Sequence, residues 1–288
     1  MNATGASYEL LLANGCRITF GPCDASAAGA VDRFAAVMGL PPCGEAPQIR
    51  FSLSSFPDVA PPNGAPCGIP EGAGPEGLFV QLSWMSAAVA RKIQDQGGLF
   101  LHAGLAERDG RGVALAAPGG MGKTTASRRL PAPWRSLSDD QTLVVFGPDG
   151  PLAHPWPTWS RFLDGGTGGA WDVTRYESLE GVFFLQRGGE NAVEPVGKAE
   201  AAAMIMESTE QMSIFLLRGL PGEEVRRMRT ERFASACRLA AGVPTFTLRL
   251  TLSGAFWNEI EEALAVPCGC AAVLRSQPMP TAAGGKCV

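Results

Sequence analysis

Residues 114–127 read ALAAPGGMGKTTAS, and no other stretch restricts the fold as much. An apolar run with strand character, GVALAA, passes through Gly119, Gly120 and Gly122 into a short segment of helical composition that Pro131 stops. A strand that turns through glycines directly into a helix needs a sheet to hold the strand and a layer to cover the helix. The chain is therefore expected in the α/β class. The same stretch suggests phosphate binding. Backbone N–H groups must converge on an anion at a helix start, and glycines permit the close approach and the dihedrals this takes. A lysine then reaches the β/γ phosphates and the adjoining hydroxyl holds Mg²⁺. Pro118, Gly119, Gly120, Met121, Gly122, Lys123, Thr124 and Thr125 are thus the candidate nucleotide-binding residues, with Thr124 also a candidate metal ligand. The pattern G-x4-G-K-[ST] is met except at its opening position, which Ala117 occupies. Alanine is the smallest substitute, and the inner glycines are all present. A glycine-rich turn before a helix is the competing reading; the strand–loop–helix context favours a nucleotide.

Composition narrows the partners. The 288 residues suffice for one or two domains, and 45% apolar with 18% charged residues is ordinary for a globular protein. A net charge of −4 without a Lys/Arg run argues against nucleic acid. The opening MNATGASYELLLANGC lacks the basic flank and apolar run of a signal peptide, and no apolar stretch reaches the roughly 18 residues a membrane helix needs. No membrane partner and a cytoplasmic location are expected. The eight cysteines then read as thiols. Cys268 and Cys270 form a C-x-C with no histidine nearby, unlike the paired spacing of a zinc site.

The pattern along the chain suggests a β-rich N-terminal domain over residues 1–80. YELLLANGCRITF reads as a hairpin turning at Asn14-Gly15, QIRFSLSSF as a strand, and the Pro/Gly-rich residues 57–77 as a long loop. A second domain follows over 81–275 around a mixed sheet, and 276–288 read as a loose tail. In that domain SWMSAAVARKIQDQGG is an expected helix, and LFLHAGLAER and GVALAA are strands joined at Asp109-Gly110. WRSLS, TLVVF, GVFFLQR and TFTLRLTL read as further strands. AEAAAMIMESTEQM, EEVRRMRTERFASACRLAAG and FWNEIEEAL read as helices.

Asp139 and Asp140 end the strand after the glycine loop. Adjacent residues of an extended chain point to opposite sides. One carboxylate can therefore serve Mg²⁺ while the other accepts a proton from an incoming hydroxyl. His102 lies on the strand that the Asp109-Gly110 turn folds back beside the loop, which makes it a third candidate. His154 opens the aromatic, proline-rich HPWPTWSRF, for which a packed loop is preferred over a pocket wall.

LHAGLAER, APGGMGKTT and SLSDDQTLV, in this order and near this spacing, resemble the catalytic half of the HPr serine kinase family over about residues 99–146. The resemblance implies a P-loop domain like the HPr kinase C-terminal domain, using ATP and Mg²⁺. It would place Lys123 and Thr124 on phosphates and metal, and Asp139 as the base. Asp140 would stand beside it at the metal, and His102 would assist at the phosphates. Two departures stand out besides Ala117: Thr125 replaces a family glutamate, and VTRYESLEGVFFLQRG lacks the family's Arg-Gly-x-Gly signature. HPWPTWSRF and the divergent front half resemble more closely the HPr-kinase-related proteins of peptide-modification gene clusters, the ScmC proteins of SynChlorMet cassettes among them. This resemblance implies a serine kinase acting on a peptide or protein, a small precursor polypeptide for instance. A homo-oligomer is compatible with these features. The alternative is a nucleotide-binding regulatory or assembly protein that transfers no phosphate. A GTPase lacks its Asn-Lys-x-Asp motif here, and a dinucleotide fold would need its third glycine at Thr125.

Overall fold

The computed structural model describes residues 5–55, 66–71, 74–163, 168–212, 217 and 220–265. The expected hairpin forms: β1 (Ser7–Leu11) and β2 (Arg17–Pro22) pair antiparallel from Tyr8↔Phe20 to Leu11↔Arg17, and Gly15 supplies the left-handed residue of the turn at φ 83°. The front segment is not all strands, however. Helix α1 (Ala25–Val37) follows, started by Asp24, whose carboxylate accepts from the Ser26 N–H. Its buried Ala27, Val31, Phe34 and Ala35 have helical spacing, but alanines and a glycine between them blur the pattern. After β3 (Pro42–Cys43) and β4 (Ile49–Ser54) comes β5 (Cys67–Pro70), inside the stretch expected to be loop. It pairs parallel to β4 from Phe51↔Cys67, so partner strand rather than composition decides its state. The five strands run β3-β1-β2-β4-β5.

Helix α2 (Gly74–Gln94) begins well before the expected Ser83, and residues 81–90 are all buried. Such a helix is covered on every side. Its Leu82, Met85 and Val89 share one core with Phe20, Phe34 and Phe51 of the small sheet and with Leu143, Val145 and Trp156 of the large one. Residue 80, drawn as a domain boundary, falls inside this helix.

The large sheet is built from β6 (Leu99–Leu101), β7 (Ala103–Arg108), β8 (Arg111–Ala116), β9 (Arg135–Ser138), β10 (Gln141–Gly147), β11 (Gly150–Trp156), β12 (Glu177–Arg187), β13 (Ala192–Pro195) and β14 (Thr245–Leu250). Its main order is β6-β10-β11-β12-β8-β7-β9, with β14 beside the second half of β12 and β13 on β14. β12 runs parallel to β8 and β14, while the other pairs are antiparallel. The class is therefore α/β with mixed sheets, as expected. Helices α3 (Lys123–Arg129), α4 (Lys198–Gln211), α5 (Gly222–Gly242) and α6 (Phe256–Ala265) complete it. The strand expected over LFLHAGLAER is two strands, broken at His102.

His154 is a fully buried member of β11, not part of a loop or a pocket wall. Its Nδ1 donates to the Val173 carbonyl at 2.9 Å and its Nε2 accepts the Ala13 N–H at 3.3 Å, tying the front hairpin to the large sheet. Burial lowers its pKa from 6.5 against smaller opposing contributions from the Val173 and Arg175 backbone and Asp172. With the folded pKa depressed, the unfolded chain binds the proton better below pH 6.5. The stability owed to neutral His154 is present above that pH and declines as pH falls through it. Wild-type Tm should therefore drop between pH 7 and 5.5 more steeply than that of His154→Gln; parallel slopes would contradict the assignment.

Among the described residues no helix is long and apolar enough to cross a membrane. Cys16, Cys23, Cys43 and Cys237 are free thiols. Cys268, Cys270 and the tail lie outside the described residues.

Candidate active site at the break in two neighbouring strands

Turn chemistry places the first partner. The β7–β8 hairpin turns at Asp109 and Gly110, both left-handed at φ 54° and 79°, and its register runs back to Ala103↔Ala116. One residue further, the Ala117 N–H meets the His102 carbonyl at 3.4 Å. His102 thus stands opposite the first residue of the glycine loop. It also marks the break between β6 and β7. Across from it, β9 on β7 breaks from β10 on β6, and the break is Asp139-Asp140. Gly104 permits this approach: a Cβ there would lie 3.1 Å from the Ser138 carbonyl oxygen and 3.4 Å from Asp139 Cα.

Lys123, the first residue of α3, closes the cluster. It is only 5% exposed, and its Nζ donates to the Ala117 carbonyl at 2.9 Å. Nζ also lies 2.7 Å from His102 Nε2 and 3.5 Å from Asp140 Oδ1. Burial lowers the Lys123 pKa, with Asp140 opposing. Burial pushes the Asp140 carboxyl up, but hydrogen bonds and charges from His102 and Lys123 together hold it below the usual range. His102 Nε2 sits 3.0 Å from Asp140 Oδ1, its Nδ1 pairs with Gln211 Oε1, and its backbone N–H donates to Ser208 Oγ at 3.0 Å. A neutral ring protonated on Nδ1 donates to Gln211 and accepts from Lys123. His102 Nε2 thus lies between the Lys123 ammonium and the Asp140 carboxylate.

The aspartates diverge as an extended chain requires. Asp139 is 5% exposed and accepts from Thr158 Oγ1 at 2.6 Å and from Arg161 Nη2 at 2.8 Å, one bond on each oxygen. Asp140, its side chain 31% exposed, is the one that faces Lys123. The residue pattern left open which aspartate is the base and the family resemblance implied Asp139; the geometry brings Asp140 to the cluster and encloses Asp139.

Above Lys123 the loop is open. Pro118, Gly119 and Gly120 are exposed, as is Thr125; Met121, Gly122 and Thr124 are half-buried. Gly120 and Gly122 are left-handed at φ 77° and 104°, and a Cβ on either, or on Gly119, would meet nothing within 4 Å. Conformation, not packing, asks for glycine at 120 and 122. At Gly119 the fold itself asks for nothing. Ala117 is no defect: among described residues only Asp109 is a non-glycine with positive φ, and the Ala117 side chain is buried in a core cluster with Val113 and Leu115. Arg187, missed in the sequence, ends β12 and donates to the Gly120 carbonyl at 2.9 Å. Because β12 is parallel to β8, both end at the loop, a placement readable only once the pairing is known. Among described residues no three His, Cys, Asp or Glu side chains form a metal-holding group.

The family of SynChlorMet cassette protein ScmC matches residues 66–265, over two thirds of the chain. The chain belongs to the ScmC family. The ScmC match includes the whole glycine loop, His102, both aspartates, Arg187 and Gln211. No curated protein matches the chain.

Proposed function

We propose that the protein is an HPr kinase-like, P-loop serine/threonine kinase that moves the γ-phosphoryl group of ATP to a hydroxyl of a peptide or protein, in modified-peptide biosynthesis. One observation carries the reading. A nearly buried ammonium, a histidine and a carboxylate meet at the foot of an exposed glycine loop, where a Cβ on Gly119, Gly120 or Gly122 would meet no described atom within 4 Å. Phosphoryl transfer asks mainly for positioning and charge neutralisation, which such a cluster supplies.

In this reading the loop amides hold the phosphates and Lys123 turns from Ala117 and His102 to the β/γ oxygens. Mg²⁺ needs few protein ligands when phosphates and water fill its shell. Half-buried Thr124 and partly exposed Asp140 fit that role, the latter through water. When bound, the ion neutralises charge between the phosphates. Asp140, relieved of the Lys123 charge, takes the proton of the acceptor hydroxyl, with His102 holding its orientation. The acceptor oxygen forms a bond to the γ-phosphorus as the bond to the β–γ bridging oxygen breaks, and ADP leaves with that electron pair. Arg161 and Thr158 occupy both carboxylate oxygens of Asp139, which supports the strand break. The missing Arg-Gly-x-Gly signature leaves HPr itself without support as the acceptor.

Gly119→Ala is the direct test. No atom of the described residues opposes the added methyl and φ is not left-handed, so Tm should be unchanged. ATP affinity should fall at least tenfold, measured by calorimetry, because the methyl takes the space of a phosphate. Ala117→Gly should change affinity by no more than about 1 kcal/mol, the scale of a Gly/Ala backbone effect. Unaltered ATP binding in Gly119→Ala would sink the nucleotide reading.

A further inference from the structure

Beyond Asp140 lies a cavity of about 210 Å³ that the chemistry above leaves unused. Its lining includes Phe79, Phe100, Trp156 and Trp159, Ala87 and Ala90 of α2, and Asp140 and Gln141. The wall is fixed in place: Trp156 donates its indole N–H to Ser86 Oγ at 2.9 Å and packs edge-on against Phe100, while Trp159 stacks on Phe34.

Position decides what the occupant is. A P-loop lysine reaches the β/γ end of a nucleotide, so the base extends away from it. Asp140 is 3.5 Å from the Lys123 ammonium and also lines the cavity. With Asp140 as the base of the proposed transfer, an occupant of the cavity sits next to the acceptor hydroxyl. The cavity volume is below the roughly 300 Å³ where small-molecule sites begin and suits a single large side chain. Resting on the kinase reading, we propose that this cavity is a specificity pocket that takes a bulky apolar side chain of the acceptor peptide, beside the residue whose hydroxyl is phosphorylated.

The test uses the full chain with a non-hydrolysable ATP analogue and short peptides that carry one serine flanked by Phe, Leu or Gly. Burial of a large apolar side chain predicts that Phe and Leu peptides bind about tenfold or more tighter than the Gly peptide. Their binding should also shift the tryptophan fluorescence. Ala87→Leu and Ala90→Leu each fill the cavity and should erase the preference while ATP affinity stays at the wild-type value. Equal binding of Phe and Gly peptides by wild type overturns the proposal, and this comparison needs no variant to fold. A loss of ATP affinity in the folded variants overturns it too, because the cavity would then hold the base. The kinase reading is judged separately, by mass spectrometry with ATP. Peptide preference without phosphorylation leaves the pocket and sinks the kinase; phosphorylation without preference does the reverse.

Discussion

Lys123→Met is expected to abolish phosphoryl transfer and to weaken ATP binding by about 10- to 100-fold, with the fold retained. A hydrogen bond to a charged group is worth roughly 1.5–3 kcal/mol, and each 1.4 kcal/mol is tenfold in affinity. Methionine keeps the alkyl stem where Lys123 is buried and removes only the ammonium. The stability change should be small for two opposing reasons. Burial already disfavours the Lys123 charge, as its lowered pKa shows, so its removal relieves a cost. Against this, Asp140 and the Ala117 carbonyl each lose a partner, though Asp140 keeps His102 and some exposure to water. Calorimetry with ATP, a melting curve and phosphopeptide mass spectrometry check the three parts. Wild-type ATP affinity in a folded Lys123→Met protein would mean that the ammonium only braces the strand break.

The two aspartates should separate chemistry from architecture. Asp140→Asn cannot take a proton, and loss of a general base lowers rate by about 10² to 10⁴. ATP affinity should survive, and excess Mg²⁺ should restore little if proton transfer is the main loss. Asp139→Asn should instead lower stability, by about 1–2 kcal/mol, as the Arg161 pair becomes a neutral contact. The figure is kept low because Arg161 is 40% exposed and water screens the pair. Transfer by the folded fraction should remain within about tenfold of wild type, the cost of a modest displacement of the strand break. The opposite pattern, with a fast Asp140→Asn and a dead but stable Asp139→Asn, would return the base to Asp139.

Some of this molecule was written locally. The strand–loop–helix at 112–130, the turn at Asp109-Gly110 and the aspartate pair after the next strand follow from turn chemistry and short-range periodicity. Even the meeting of His102 with Ala117 is fixed by counting back from the hairpin turn, because an antiparallel register leaves one partner for each residue. These signals act over a few residues, so the sequence carries them whole. Other features depend on partners far along the chain. β5 became a strand because β4 offered an edge, and α1 became a helix although alanine-rich spacing hid its buried face. Arg187 and Gln211 reached the site only through a parallel crossover and a packed helix. The choice between the aspartates belongs here too. Two neighbours in an extended chain must point apart, and that much is local. Which one faces Lys123 was decided by Thr158 and Arg161, brought to Asp139 by the turn that follows β11. Side-chain identity supplied two carboxylates at the break, and long-range pairing decided which of them faces Lys123.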